Sequence, residues 1–190
     1  MITFDEAFEL TRNVSSNAAF SDLECRTFWD LLNTLPASAN VVEIGCQLGR
    51  TSSLILQAAK NRGFVPDFID PWTEQPDYCR QWMVMAHSVG VPFRLHMMRT
   101  DQTEHIGKYG IDFLLIDGDH TAQGVKTDTT MMMGRMKRGG IVCVHDYGSD
   151  SLPDVWEQIN IYLANRWQKN LWEPMVIADT LGVWRRSQFA

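Results

Sequence analysis

The residues best suited to chemistry in this chain lie at the ends of two apolar runs. IDFLLIDGDH (111–120) finishes in Asp117, Asp119 and His120, and GGIVCVHDYGS (139–149) places His145 and Asp146 directly after its apolar stretch. Carboxylates and imidazoles hold divalent cations and pass protons near neutral pH. One acid where a strand meets solvent means little, but five titratable groups in two matched clusters point to a site. In an open α/β sheet, ligands bind outside the carboxyl ends of the strands. Two neighbouring strands would bring all five groups to one rim of a crevice, where a metal or a proton-transfer pair would sit.

A second constellation lies upstream. VVEIGCQLGRTS (41–52) sets Gly45 and Gly49 between a strand-like run and a helix-like one. Glycine lets the backbone turn tightly, and a helix N-terminus offers free N–H groups. A dinucleotide fingerprint fails, because Gln47 and Arg50 stand where glycines are needed. A Walker loop fails too, since Gly-Arg-Thr replaces Gly-Lys-Ser/Thr and the spacing before it is wrong. What remains is E-x-G-x-x-x-G-x-T, with Glu43 two residues before the first glycine. An acid there suits a ligand with positive charge, such as a sulfonium bearing an α-ammonium group. Asp70, at the end of the next strand-like run, is placed to accept both hydroxyls of a ribose.

The elements that must position these groups follow from hydrophobic period. Residues 4–10 and 21–35 read as helices, the second with Leu23, Phe28, Leu31, Leu32 and Leu35 on one stripe, Ser21 or Asp22 as its cap and Pro36 as its stop. NVVEIG (40–45) reads as a strand buried on both faces. A helix follows and closes at Gly63. Strands are expected at 65–72, 92–99, 113–118 and 141–146, with helices at 77–89 and 124–140, the latter stopped by glycine. Pro153 opens a last helix with Val155, Trp156, Ile159, Tyr162, Leu163 and Trp167 on one face, and 174–186 reads as two short strands about a turn. Alternating strands and helices imply a parallel sheet with right-handed crossovers and an antiparallel edge. Met131–Met133 and Met136 read as core or interface packing. Trp72 and Trp82 are expected near the crevice edge, and His87, His96 and His105 as structural or exposed.

A length of 190 residues predicts one domain, 1–190, with 1–36 as an N-terminal helical segment. Hydrophobic content of 45% and charged content of 21% are those of a soluble globular chain. No apolar run approaches the roughly 20 residues that cross a bilayer. A net charge of −6 argues against a nucleic-acid partner. MITFDEAFEL has no basic start and so is not a signal peptide, and Cys25, Cys46, Cys79 and Cys143 lack metal or disulfide spacing. Reduced thiols and a cytoplasmic location are the expectation. The apolar N-terminal helices and the Met-rich helix allow a homodimer.

The chain resembles class I S-adenosylmethionine-dependent methyltransferases. VVEIGCQLGRTS is similar to that family's first motif and FIDPW to its ribose-binding strand end. IDGDH…GVKTD…RGGIVCVHDYGS…PDVWEQI is similar to the small-domain group related to antibiotic and sugar O-methyltransferases. The likeness spans about residues 20–185; Gln47 departs from the central glycine of many members, a glycine this group commonly lacks. The resemblance implies a Rossmann-like doubly wound α/β sheet of seven strands, order 3-2-1-4-5-7-6, with the last strand antiparallel. It implies that Glu43, Gly45, Cys46, Gln47, Gly49, Thr51, Asp70, Thr100 and Asp117 bind S-adenosylmethionine. Thr100 and Asp101 are the candidates for its adenine end, with helix capping the competing role for Asp101.

Carried over by position, the resemblance also implies a divalent cation on Asp117, His145 and Asp146. Such an ion would chelate an acceptor hydroxyl and lower its pKa. Magnesium suits oxygen-rich relatives, whereas His145 favours manganese, iron or zinc. The alternative is direct base catalysis by His145 or His120, with Asp119 the other base candidate. The leading expectation is an O-methyltransferase acting on a small hydroxylated metabolite or sugar. A non-catalytic nucleoside-binding or partner module on the same fold is the second. A nicotinamide-dependent oxidoreductase is disfavoured by the broken glycine pattern.

Overall fold

A computed structural model describes residues 1–12, 14, 20–73, 75–165 and 170–188. Strand β1 (Val41–Ile44) is buried along its whole length, as a near-continuous apolar run requires. It lies between β2 (Asp67–Ile69) and β4 (Ile111–Ile116), parallel to both. β3 (Arg94–His96) pairs with β2, and β5 (Met136–Val144) pairs with β4, again in parallel. The hairpin of β6 (Trp172–Ala178) and β7 (Leu181–Arg186) completes the sheet, with β7 antiparallel to β5. The order is β3-β2-β1-β4-β5-β7-β6, as the resemblance implied.

Helices cover both faces. Along β4, Phe113 and Leu115 join Phe28, Leu54, Phe68 and Trp82 in one core, on the side of α1 (Phe4–Arg12), α2 (Asp22–Leu32), α3 (Arg50–Arg62) and α4 (Pro76–Val89). The alternate residues Leu114 and Ile116 join Met132, Met133, Met136 and Ile159 on the side of α5 (Ala122–Met132) and α6 (Pro153–Ala164). Each such side chain contributes about 1.5–3 kcal/mol on burial. The methionines are core, as expected.

Three elements differ from the sequence reading. The α5 helix stops at Met132, passes through a short 3-10 turn (Met133–Arg135), and β5 begins at Met136, so KRGG belongs to a strand and not to a helix end. Ile111 pairs with Met136 but Phe113 with Ile141; the extra residues of β5 bulge out. Gly140 permits this, since a Cβ there would meet the Ile111 carbonyl oxygen at 3.0 Å. In α2, Leu23 is 53% exposed and the helix ends before Pro36; the buried face is Glu24, Cys25, Phe28, Trp29 and Leu32. In α6, Val155 and Ile159 are buried but Trp156 is exposed; Trp167 lies outside the described residues.

Ser21 caps α2 through a reciprocal box: its hydroxyl accepts from the Glu24 N–H (3.2 Å), and Glu24 accepts from the Ser21 N–H (2.6 Å). The other Glu24 oxygen accepts from the backbone N–H (2.9 Å) and hydroxyl (2.7 Å) of Thr180, in the β6–β7 turn. A carboxylate on the buried face of α2 thus fastens the closing hairpin to the second helix. All four cysteines are free thiols.

Candidate cofactor and catalytic site

A cavity of about 410 Å³ opens along the carboxyl ends of β1, β2, β4 and β5. Its wall includes Gly45, Cys46, Gln47, Gly49, Thr51 and Asp70 at one part, and Asp117, Asp119, His120 and Asp146 at another. Both constellations read from the sequence, apart from Glu43 and His145, therefore face one space.

The glycine loop is built by close backbone approach. Gly45 has φ +82°, and a Cβ on it would lie 1.9 Å from the Asp117 carbonyl oxygen. Gly49, at φ +96°, caps α3, and a Cβ there would meet Met85 at 2.5 Å and Trp82 at 2.7 Å. Asp70 holds the turn: one carboxylate oxygen accepts from the N–H groups of Cys46 (2.8 Å) and Gln47 (2.9 Å), the other from Trp72 N–H (2.8 Å). The Trp72 indole donates to the Gln47 carbonyl (2.9 Å), and the Trp82 indole to the Ser52 hydroxyl (2.8 Å). Both tryptophans are buried braces behind the loop, not crevice-edge platforms.

Glu43 corrects another expectation. It is fully buried in β1, does not line the cavity, and accepts from the hydroxyls of Thr51 and Ser52 (2.6 Å to Ser52). It pins the strand to the first turn of α3 and offers no carboxylate to a ligand's ammonium group. Burial pushes its carboxyl up to about 8. The unfolded chain releases this proton near pH 4.3 while the folded chain keeps it, so this group's stabilisation falls as pH rises from about 4 to about 8. Glu43→Gln is expected to remove that slope. In thermal melts the variant should gain on the wild type steadily between pH 5 and 8, and parallel slopes would show that Glu43 is ionised in the fold.

At the acid end, His145 Nδ1 lies 3.0 Å from Asp117 and 3.2 Å from Asp146. His120 Nε2 lies 3.5 Å from Asp117 and 3.3 Å from Asp146, buried between them but without a well-formed hydrogen bond. Asp117 and Asp146 beside His120 push its pKa up to about 9. Burial disfavours a charged His145, yet the same two carboxylates outweigh burial and raise it to about 10. Burial likewise works against the charge of Asp146, and both imidazoles overcome it, holding the acid well below the usual carboxylate range. Asp119 is exposed on the wall, with one oxygen accepting from Thr121 N–H (2.9 Å).

Among the described residues, the group with ligand atoms close enough to hold a metal ion is Asp117, His120 and Asp146; these atoms lie within 4.8 Å of one another. His145 is not part of it. Its ring is 1% exposed, stacks on Phe20 at 4.1 Å, points Nε2 toward Glu24 (3.8 Å), and does not line the cavity. The carboxylates of Asp117 and Asp146 and the Nε2 of His120, which makes no well-formed hydrogen bond, are donors of the kinds a divalent first-row cation takes.

Thr100 and Asp101 line the far wall, in a 3-10 turn after β3. The sequence reading missed Phe20, Gly118 and Asp128 on the same wall. Asp128 left a signal, an acid in register with Val125, Thr129 and Met132 on the buried face of α5.

The sequence model of a family described as a methyltransferase domain matches residues 42–147, more than half of the chain, and the chain belongs to that family. No curated protein matches it. Among solved structures, the cofactor-bound protein Rv0187 from MTB shares 13% identity over 96% of this chain and 88% of its own, with a TM-score of 0.71. An O-methyltransferase from Bacillus cereus in complex with SAH shares 14% over 97% and 90%, at 0.66. CalS11, a TDP-rhamnose 3'-O-methyltransferase of calicheamicin biosynthesis, shares 10% over 97% and 96%, at 0.64. These likenesses establish the fold. No helix among the described residues is long and apolar enough to cross a membrane.

Proposed function

We propose that the chain is an S-adenosylmethionine-dependent O-methyltransferase acting on a small hydroxylated metabolite, with sugars the leading acceptor class, assisted by a divalent cation. One observation carries the reading: the glycine loop with Asp70 and the cluster Asp117, Asp119, His120 and Asp146 line a single cavity. SAH in the B. cereus structure and the sugar acceptor named for CalS11 agree with it.

S-adenosylmethionine would rest on Gly45, Cys46, Gln47, Gly49 and Thr51, beside Asp70, and bring a methyl group on a sulfonium. Asp70 already accepts three N–H groups, so its first task is to hold the loop; the lone pairs left over are what it offers a ribose. In the transfer the acceptor oxygen forms a bond to the methyl carbon, the carbon–sulfur bond breaks, and the acceptor's proton must leave. Asp119 is the carboxylate assigned to take it, because His145 is outside the cavity and Asp117 and Asp146 are bound to imidazoles. Asp117, His120 and Asp146 would hold a cation, manganese or magnesium, that lowers the pKa of the acceptor hydroxyl. His145 works from beneath, fixing the orientation of both carboxylates.

Calorimetry with S-adenosylhomocysteine should give saturable binding, and a screen of hydroxylated acceptors should release that product from S-adenosylmethionine. Chelation should lower turnover more than tenfold, with manganese restoring it. No heat with the nucleoside would end the reading. Unchanged turnover after chelation would remove the cation from it. Binding without transfer to any acceptor would favour a nucleoside-binding module on the same fold.

A further inference from the structure

Among the described residues, Arg50, Arg99 and His120 are the basic groups that line the cavity. Two of them are matched by acids: Arg99 lies 3.5 Å from Asp101, and His120 lies between Asp117 and Asp146. Arg50 forms no ion pair among the described residues, and its Nε is buried without a hydrogen-bond partner. Its guanidinium carbon lies 5.8 Å from the centre of the Phe8 ring, and the Cys25 thiol accepts from it. The cation therefore rests on a ring of α1 and a thiol of α2, neither of which neutralises it.

A guanidinium held partly out of water without a counter-charge is costly, and here the open side is the cavity. An anionic group entering that space meets like charge from Asp70, Asp119 and Asp128 along the wall, and finds its unmatched cation at Arg50. Arg50 directly follows Gly49, but its side chain turns toward α1 and α2, the side from which Phe20 also reaches the wall.

We infer that Arg50 is a specificity-determining residue that pairs with a carboxylate or phosphate group carried by the methyl acceptor, so that the substrate is an acidic sugar or sugar phosphate and not a neutral one. This rests on the function proposed above. A guanidinium stays charged and presents a planar fork of donors that matches either anion. With its anion on Arg50, the acceptor is held at one end and a hydroxyl is left to reach Asp119 and the acid cluster.

The test measures the binding of glucuronate, glucose 1-phosphate and glucose by calorimetry on the full chain saturated with S-adenosylhomocysteine. Metal-free buffer keeps a cation in the acid cluster from taking the anion. At least one anionic probe should bind about tenfold more tightly than glucose, and the two arms tell carboxylate from phosphate. Arg50→Met keeps the stem beside Phe8 without the charge; it should cut that preference to about threefold or less and change S-adenosylhomocysteine affinity by less than about threefold. Arg50→Gln serves the same comparison should the methionine variant not fold. Equal binding of all three probes by the wild type would overturn the inference, and so would a folded variant that keeps the wild-type preference. A variant with a larger loss of S-adenosylhomocysteine affinity would overturn it too, because the guanidinium would then serve the cofactor. Each of these results leaves the methyltransferase reading standing; absence of S-adenosylhomocysteine binding by the wild type removes both.

Discussion

Gly45→Ala is expected to abolish S-adenosylhomocysteine binding, by more than 100-fold, and to lower the melting temperature by about 10 °C. The residue sits at φ +82°, where an L side chain is strained by about 1–2 kcal/mol. The larger effect is collision, because the new methyl would lie 1.9 Å from the Asp117 carbonyl oxygen and 2.5 Å from its carbon. Neither backbone is free to retreat. Gly45 N–H donates to Ile69 (2.9 Å) and Asp117 N–H donates to Ile44 (2.9 Å), so relief means parting β1 from its neighbours. Together these effects reach about 3 kcal/mol or more. A variant that melts within 2 °C of the wild type and keeps its affinity would show that this loop is not the cofactor's seat.

Asp117→Ala is expected to lower kcat by about 10²–10⁴-fold while S-adenosylhomocysteine affinity changes less than about tenfold. Asp117 accepts from His145 and faces His120, so its removal leaves both imidazoles to Asp146 alone. The cation would lose one of its two carboxylates, and the acceptor hydroxyl its means of activation. Steady-state kinetics beside calorimetry separate the two effects. A kcat within threefold of the wild type would take this cluster out of the chemistry.

The strand ends were legible because apolar runs stopping in acids read the same way in sequence and in space. Sheet order came from the resemblance, since periodicity alone says nothing of which strands are neighbours. Side-chain direction at the site was not legible. His145 still donates its backbone N–H to Ile116 and follows the strand, carrying its ring beneath the sheet to Phe20 and Glu24. Asp146 turns at φ +58°, and its carboxylate joins the cavity wall. Two adjacent residues therefore part company, and His120 takes the place in the cluster expected of His145. Glu43 misled for a similar reason: its strand position faces the hydroxyls of α3, eight and nine residues on, and burial there excludes ligand. KRGG read as a helix stop because glycine pairs serve both helix ends and bulges, and only the pairing with β4 decides.

The bond from Glu24 to Thr180 joins residues 156 apart in sequence. Until the closing hairpin docks, the Glu24 carboxylate, 3.8 Å from His145 Nε2, lacks the two donors that Thr180 brings. Settling of the acid cluster is thereby tied to a contact between distant parts of the chain, a non-local step of the kind that makes folding slow.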